Sequence, residues 1–232
     1  MTDMEAIQRR RSRRSYLGTA IAEKSRKRLR EVIDQSNQSS GLSIQLIENG
    51  RDAFKGFNPS YGMFSGVTAY FAVVGKESDP NLLEKAGYYG ERLVLEATRL
   101  GLGTCWVGGT YNRSRTACDV KEGEKIVIII TVGNVEEKNS LKENVIYKLA
   151  HRGTKTIDQL YSSDTVVPDW FLEGMKAVQR APSAINLQPV RFNYRNGEVT
   201  AEVKGSNSHQ LIDLGIAKLH FEIGSGVSPW NL

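Results

Sequence analysis

A run of arginines near the N-terminus is the first candidate for chemistry. This arginine motif reads Arg9-Arg10-Arg11-Ser12-Arg13-Arg14-Ser15-Tyr16. Each guanidinium offers paired N–H donors that match the oxygens of a phosphate, and a serine hydroxyl can fill a remaining acceptor position. The motif therefore indicates a phosphate-binding site just ahead of a helix. A solvated basic arm and a nucleic-acid contact have the same composition and stay open as alternatives.

A loop between two prolines is the second candidate. This proline loop reads Ala181-Pro182-Ser183-Ala184-Ile185-Asn186-Leu187-Gln188-Pro189. The prolines keep the backbone out of a helix and hold it extended. The polar side chains of Ser183, Asn186 and Gln188 would then project from a rigid support and could grip the polar edge of a flat heterocycle. The competing interpretation is a helix stop in which Ser183 and Asn186 make local turns.

A glycine-rich segment is the third candidate. This glycine segment reads Gly101-Leu102-Gly103-Thr104-Cys105-Trp106-Val107-Gly108-Gly109. Glycines let a backbone approach a ligand closely, and Trp106 could form a wall beside it. The segment follows a predicted helix instead of joining a strand to a helix, so it is not a dinucleotide-binding fingerprint. By itself it is also typical of a helix that ends in a loop.

Four further side chains are of types that could serve chemistry. No basic residue adjoins Cys105 in the sequence to lower the pKa of its thiol, so a small buried side chain is favoured over a redox thiol. His220 lies in a predicted helix, where a hydrogen-bonded core histidine is favoured over a ligand contact. Helical spacing likewise favours core positions for Tyr88 and Tyr89.

The charge of the chain is concentrated at one end. The formal net charge is +5, while residues 1–30 carry ten basic and three acidic side chains and are therefore +7. The other 202 residues are −2, which disfavours a broad nucleic-acid surface and fits a local anion site.

Length and composition limit the fold class. The chain has 232 residues, room for one large domain or two small fused ones, with 40% hydrophobic and 25% charged residues. These values exclude a collagen, a coiled coil and wholesale disorder. Two cysteines are too few for a disulfide framework, and the apolar run from Ile126 to Val132 is too short to span a membrane. We expect a soluble protein of the cytoplasm with no membrane partner.

Hydrophobic periodicity predicts the elements that must position the three segments. Helices are predicted over residues 20–35, 80–100, 168–181 and 210–224, and strands over 43–48, 67–75 and 125–133, the last one central and covered on both faces. A hairpin is predicted over residues 191–203 around Asn196-Gly197, the strongest short turn signal in the chain. The polar stretch 136–164 is predicted to be a crossover.

The two halves of the chain repeat one order of elements. Each half runs from a polar lead-in through a helix and two strands to a helix with a glycine near its start, Gly87 in the first half and Gly215 in the second. We therefore predict an α+β fold with a mixed or antiparallel central sheet flanked by helices and with an internal duplication. Residues 1–150 would be the first repeat and residues 151–232 a truncated second repeat, together forming one intertwined unit.

Taken together, the three segments resemble those of the FMN-dependent nitroreductase family. The resemblance rests on Arg-Arg-Ser-x-Arg-x-Tyr, Ala-Pro-Ser-Ala-x-Asn-x-Gln-Pro and Gly-Leu-Gly-Thr-x-Trp-x-Gly, and it covers most of the chain. In ordinary members the first two motifs lie close together in sequence, whereas Arg14 and Pro182 are 168 residues apart here. Residues 34–39, where the loop would fall, contain no proline. Because family homodimers build each flavin site from both subunits, the chain is similar to single-chain members built as a fused pseudo-dimer.

The resemblance implies a role for each motif. It implies one flavin site per chain, because Arg152 to Lys155, the counterpart of the arginine motif in the second half, are degraded. The FMN phosphate would be held by Arg10, Arg11, Ser12 and Arg14, while Arg9 and Arg13 have no matching position and would stay solvated. The isoalloxazine would be lined by Pro182, Ser183, Asn186 and Gln188. Its pyrimidine edge, where donor groups stabilise the reduced anion, would be approached by Thr104, Trp106, Gly108 and Gly109.

The implied activity is that of a flavin oxidoreductase. FMN would carry electrons from NADH or NADPH to nitroaromatics, quinones or similar flat electrophiles in a ping-pong reaction. No catalytic acid or base is nominated, and no metal is predicted. Specificity would come from residues 49–66, with Phe54, Phe57, Tyr61 and Phe64 as candidate lid residues. A flavin-binding store or redox sensor without turnover is the main alternative. We expect a small-molecule partner, no nucleic acid, and a monomer or weak homo-oligomer.

Overall fold

The computed structural model describes residues 1–55, 64–140, 143–145, 153–205 and 207–230. Its helices are α1 (Asp3–Arg9), α2 (Glu23–Ser40), α3 (Leu82–Arg99), α4 (Asp169–Val178) and α5 (Ser208–Ser225). Its strands are β1 (Gln45–Ile47), β2 (Ala69–Lys76), β3 (Gly103–Val107), β4 (Glu124–Gly133), β5 (Tyr161–Ser163), β6 (Arg191–Arg195) and β7 (Glu198–Glu202). Within these ranges, no helix is both long enough and apolar enough to cross a lipid bilayer.

The first half of the chain builds an antiparallel sheet in the strand order β1, β2, β4, β3. β4 is an inner strand because it pairs with β2 on one side and with β3 on the other. Phe71 and Ile130 pack on one face with α2 and α3, and Tyr70 and Ile129 pack on the other face. The prediction of a central strand covered on both faces is confirmed, since both alternating faces of β4 are apolar.

The second half builds a separate sheet, in which β5 is parallel to β6 and β6 is antiparallel to β7. Asn196 and Gly197 join β6 to β7 with φ angles of 52° and 83°, as a type I′ turn requires, so the predicted hairpin is confirmed. Two sheets thus replace the predicted single central sheet, because the strands of the second half pair only with each other. β5 falls inside the predicted crossover, where three residues are too few to show a period.

α5 belongs to the hydrophobic cores of both sheets. Ile212 and Ile216 pack with α3 and the first sheet. Leu214 and Phe221, on another face of the same helix, pack with α4 and the second sheet. The two halves therefore share one helix, and the α+β class with sheets flanked by helices is confirmed.

α3 and α5 meet at two glycines. A Cβ atom added at Gly87 would lie 2.0 Å from the carbonyl oxygen of Ile212, and one added at Gly215 would lie 1.9 Å from that of Glu84. No real side chain tolerates such distances, so the two backbones can approach this closely only through glycine. This contact holds the two halves of the molecule against each other.

Candidate functional site

The arginine motif lies along the free edge of β3. The Arg13 N–H donates to the carbonyl oxygen of Thr104 over 2.8 Å, and Ser12 forms a parallel bridge with the same residue. The Tyr16 hydroxyl donates to the carbonyl oxygen of Arg13 over 2.8 Å and lies 2.6 Å from Thr131 Oγ1. Burial raises the pKa of Tyr16 well above its usual value. The structure therefore brings together two of the three predicted segments, the arginine motif and the glycine segment.

Arg13 is buried, and each of its three guanidinium nitrogens donates a hydrogen bond within the protein. Its guanidinium donates to Glu143 Oε1 over 3.1 Å and to the carbonyl oxygens of Glu136 and Lys138 over 2.8 and 3.2 Å. The prediction that Arg13 stays solvated is wrong, because these acceptors, more than a hundred residues away in sequence, surround it. Arg9 is exposed at the end of α1, as predicted.

Glu143 holds the backbone of the arginine motif as well as the Arg13 side chain. Its carboxylate accepts from Arg14 N over 2.6 Å, from Ser15 N over 3.1 Å and from Ser140 N over 2.8 Å. Burial by itself raises the pKa of Glu143, but these hydrogen bonds and the one from Arg13 outweigh burial and lower that pKa to about 2. Glu143 lies in a polar, non-periodic stretch, so nothing in the sequence marked it.

Arg10 and Arg14 carry unused hydrogen-bond donors. In the described part of the chain, the Nε atom of each is buried without a hydrogen-bond partner. Glu91 forms an ion pair with Arg10, with Oε1 4.0 Å from Nε. Burial lowers the pKa of Arg10, and Glu91 acts to raise it. A buried donor without a hydrogen-bond partner costs about 1–3 kcal/mol, so each of these two groups suits an anionic acceptor.

Arg11 and Ser12 are exposed beside this pair. The Arg11 guanidinium donates to the carbonyl oxygens of Gln8 and Arg10, each over 2.9 Å. Of the predicted phosphate-binding residues, Arg10 and Arg14 thus offer the free buried donors, while the Arg11 side chain is partly used by its own backbone. The donor set fits a phosphate group.

Trp106 is turned inward toward α3 and α5. Its indole N–H donates to Glu91 Oε2 over 3.0 Å. Glu91 Oε1 lies 3.0 Å from His220 Nε2, and His220 Nδ1 lies 3.0 Å from the carbonyl oxygen of Ala177. Since a carbonyl oxygen can only accept, Nδ1 donates there. His220 is completely buried, so the prediction of a hydrogen-bonded core histidine is confirmed, and the Trp106 ring supports α3 instead of forming an open wall.

The remainder of the glycine segment divides into a buried and an exposed part. Thr104 and Cys105 are buried. Burial raises the pKa of the Cys105 thiol even though Arg14 and Arg10 act to lower it, which agrees with the predicted buried side chain. Gly108 and Gly109 are exposed. A Cβ atom at Gly108 would lie 2.6 Å from Cε1 of His209, so this end of the segment rests on the first turn of α5.

The proline loop forms a tight turn with an unusual backbone. Ile185, Asn186 and Gln188 have φ angles of 46°, 52° and 46°, a region that non-glycine residues seldom adopt. The Ala184 N–H donates to both carboxylate oxygens of Asp213 on α5, over 3.1 and 3.2 Å. Inside the turn, the Ser183 hydroxyl oxygen accepts from Gln188 N over 2.9 Å.

Gln188 is a support of this loop. Its side-chain oxygen accepts from Lys155 N over 2.8 Å, and its side-chain nitrogen donates to the carbonyl oxygen of Gln179 over 3.3 Å. Lys155 Nζ donates to the carbonyl oxygen of Gln188 over 2.7 Å. The amide predicted to line a ring is thus used within the protein. Lys155, from the degraded copy of the arginine motif, holds the proline loop.

The described lid aromatics lie on the other face of the first sheet. Phe54 packs against Phe64 and Tyr70, with ring centroids 5.7 and 6.2 Å apart. These rings belong to the cluster opposite α3 and α5. Phe57 and Tyr61 lie outside the described residues. The structure therefore shows no contact between the described lid aromatics and the described proline loop.

α5 connects all three predicted segments. His209 touches the glycine segment, Asp213 holds the proline loop, and His220 binds Glu91 beside Arg10. The helix is predicted from the sequence, but Glu91 and Asp213 are not among the predicted site residues. Asp213 is an acid inside the otherwise apolar stretch 211–217, and this mismatch is a signal that could have found it. Glu91 has charged neighbours in α3, and its only signal is its place on the helix face that also carries Gly87 and Val94.

Comparison with known proteins places the chain in a family. A family model described as "Putative TM nitroreductase" matches residues 3–225. The chain belongs to this nitroreductase family. No curated protein matches this chain.

Solved structures similar to the nitroreductase show its fold. The crystal structure of a "putative nitroreductase" from Thermotoga maritima MSB8 covers 97% of this chain and 83% of that chain, with 22% identity and a TM-score of 0.63. The crystal structure of a nitroreductase family protein from Clostridium difficile 630 covers 72% of this chain and 100% of that chain, with 15% identity and a TM-score of 0.52. The fold of the chain is therefore nitroreductase-like.

Proposed function

We propose that this nitroreductase binds FMN and is an NAD(P)H-dependent oxidoreductase. Family membership supports flavin-dependent redox chemistry. The observation that carries the proposal is the pair of buried Nε donors of Arg10 and Arg14, which lack hydrogen-bond partners among the described residues, while each guanidinium nitrogen of Arg13 donates to an acceptor within the protein. A dianionic phosphate is the part of FMN that would satisfy such donors.

Each described group has a task in this proposal. Arg10 and Arg14 would hold the phosphate together with the exposed hydroxyl of Ser12. The exposed backbone of Gly108 and Gly109 would face the ring, next to the N-terminus of α5, whose dipole favours negative charge. The proline loop would supply further ring contacts through Pro182, Ser183 and Asn186, while the Gln188 amide is used within the protein. Bound FMN would supply two-electron chemistry, from NADH or NADPH to a flat electrophile such as a nitroaromatic or a quinone.

The second half of the chain supports a single flavin site. Lys155 is the described basic residue of the degraded motif, and its ammonium group already donates to the carbonyl oxygen of Gln188. A phosphate there would have to compete with this bond. One site per chain, with arginines from the first half and the proline loop from the second, therefore fits the described contacts better than two sites.

The contact between α3 and α5 supports the proposed duplication. Gly87 meets the carbonyl oxygen of Ile212, three residues before Gly215, and Gly215 meets that of Glu84, three residues before Gly87. Such a reciprocal contact is what a two-fold symmetric pair of helices makes. We propose that residues 1–150 and 151–232 are two repeats, the second truncated, that pair as a pseudo-dimer.

The first test is an absorbance spectrum of the purified protein between 300 and 600 nm, followed by anaerobic addition of NADH. We expect paired yellow bands that bleach. Bands that persist would favour the alternative of a flavin store or sensor. A colourless protein that also takes up no added FMN would overturn the proposal.

The second test separates the phosphate from the ring. Arg10→Gln and Arg14→Gln are each expected to raise the Kd for FMN by about 10- to 100-fold, the effect of losing one charge-assisted hydrogen bond. The Kd for riboflavin, which lacks the phosphate, should change little. Exposed Arg9→Gln is the matched control and should leave both constants unchanged. Equal losses for FMN and riboflavin would contradict the assignment of these arginines.

A further inference from the structure

Asp213 is a buried carboxyl group that the proposed function does not use. It is only 5% exposed on α5. The small cavity beside it is lined mainly by the apolar side chains of Leu160, Val178, Pro189, Val190 and Ala217. In the described part of the chain, no cationic side chain lies within ion-pair distance of it. A buried carboxylate without a counter-charge is costly, so its retention calls for an explanation.

A single hydrogen-bond donor meets this carboxyl group among the described residues. The Ala184 N–H lies 3.1 and 3.2 Å from its two oxygens. An ionised carboxylate has four acceptor positions, and burial leaves most of them unfilled here. A protonated carboxyl group needs fewer donors and still accepts this bond through its carbonyl oxygen. The surroundings of Asp213 therefore favour its neutral form.

The bond from Ala184 holds a backbone that is strained. Ala184 directly precedes Ile185 and Asn186, whose φ angles are 46° and 52°. Gln188, two residues later, has a φ angle of 46°. Three such residues within four positions persist only when contacts outside the turn hold them. Lys155 holds the C-terminal end of the turn through its hydrogen bonds with Gln188. Asp213 holds the N-terminal end through its hydrogen bond with Ala184 N.

We propose that Asp213 is a positioning residue for the turn from Ser183 to Gln188, which it holds closed while protonated and releases when it ionises. The inference rests on the proposed function, in which this turn contacts the flavin ring. Flavin binding would then become weaker as the pH rises.

The sign of the effect follows from linkage between protonation and closure. Burial raises the pKa of Asp213 to about 7, although the Ala184 N–H acts to lower it. When the turn opens, water reaches the carboxyl group and its pKa falls toward the ordinary value. The closed turn thus binds the proton more tightly than the open one, so closure is favoured below about pH 7 and lost above it.

Other ionisable groups on the elements around Asp213 have partners or positions of their own. His209 rests against Gly108, Lys218 is paired with Glu84, Lys155 binds Gln188 and Arg180 is exposed. His209 is the only histidine in this set. It is therefore the residue to control for.

The first experiment measures the Kd for flavin between pH 6 and pH 8.5 with the full-length protein. Riboflavin is titrated beside FMN because the FMN phosphate itself titrates near pH ~6. We expect the Kd for riboflavin to rise about tenfold across this range in the wild type and to stay flat in Asp213→Asn, whose amide oxygen can accept from Ala184 N at any pH. His209→Gln should keep the rise. A pH dependence that survives in Asp213→Asn would overturn the proposal, and so would a flat wild type.

The second experiment needs no flavin. Hydrogen exchange of a peptide spanning residues 180–190 is followed at pH 6 and pH 8.5, corrected for intrinsic rates, with a β4 peptide as internal standard. In the wild type, protection should fall at the higher pH, while Asp213→Asn should stay protected at both. Unchanged wild-type protection contradicts the role of Asp213 without any variant. If the wild type binds no flavin but its 180–190 peptide still loses protection at pH 8.5, the proposed function fails. The role of Asp213 in holding the turn closed would then stand.

Discussion

Arg13 and Arg14 are adjacent in sequence and identical in side chain, yet their surroundings give them different tasks. Arg13 is enclosed by Glu143 and two backbone carbonyl oxygens. Arg14 lies outside this group and keeps a buried Nε without a partner among the described residues. One arginine fixes the position of the motif, and its neighbour remains available for an anion. The division of labour comes from acceptors far away in sequence.

Glu143→Gln is expected to lower the free energy of unfolding by up to about 3 kcal/mol at pH 7. The hydrogen bonds to Glu143 outweigh its burial and lower its pKa to about 2 from the ordinary 4.5. A lowered carboxyl pKa contributes stability that is complete above about pH 5 and lost as the pH falls toward 2. Urea unfolding of both proteins at pH 7, 4 and 2 should therefore show a deficit that shrinks with acid.

Glu136→Gln is the matched control for this prediction. Glu136 is exposed and contributes only its backbone carbonyl oxygen to Arg13. The free energy of unfolding of the Glu136→Gln variant should therefore equal that of the wild type at each pH. A Glu143→Gln deficit of the same size at pH 7 and pH 2 would show that its cause is not the ionised carboxylate.

Helix α5 contacts both sheets and lies next to the segments of the candidate site. One face packs on the first sheet and another on the second. His209 and Asp213 contact the glycine segment and the proline loop directly, and His220 is linked to the arginine motif through Glu91. The position of this helix therefore decides the relative positions of the arginine motif and the proline loop.

Gly215→Ala tests this contact at the scale of the helix pair. Its new Cβ atom would lie 1.9 Å from the Glu84 carbonyl oxygen and 2.7 Å from Tyr88 N, so α3 and α5 would have to separate. We expect a loss of about 3 kcal/mol in the free energy of unfolding, against the small gain that alanine brings to a free helix. Thermal and urea unfolding would measure it.

Gly153→Ala serves as the control for Gly215→Ala, because a Cβ atom there has nothing within 4 Å among the described atoms. Its effect should be close to zero. Gly87→Ala makes the reciprocal contact and should resemble Gly215→Ala. A well-tolerated Gly215→Ala would show that the two helices do not approach as closely as described.

At the scale of the whole molecule, the proposed pseudo-dimer predicts a monomer in solution. α3 of the first proposed repeat packs against α5 of the second within one chain. A helix contact that a homodimer would make between two subunits is therefore made inside a single chain. Light scattering during size-exclusion chromatography should give the mass of one chain, with or without FMN. A stable dimer whose flavin site needs both chains would contradict the proposal.

Local patterns in the sequence determined the elements. Continuous apolar runs rich in β-branched residues placed β2 and β4, and the Asn196-Gly197 pair placed the β6–β7 hairpin, because these signals depend on residue preferences within a short stretch. The three motifs together pointed to the nitroreductase family. β5 escaped prediction because its three residues are paired by distant β6, not by a pattern of their own.

Only the tertiary structure decided which motif residues are free. The family resemblance separated Arg14 from Arg13, but residue types alone could not show that Arg13 is buried, because its surroundings depend on Glu143, roughly 130 residues away in sequence. Nor could the sequence predict that Trp106 turns toward Glu91, that Gln188 supports the proline loop, or that Asp213 holds Ala184. Residue types and spacing determine what a side chain is able to bind. Whether it remains available depends on which distant groups the packed chain brings within hydrogen-bond distance.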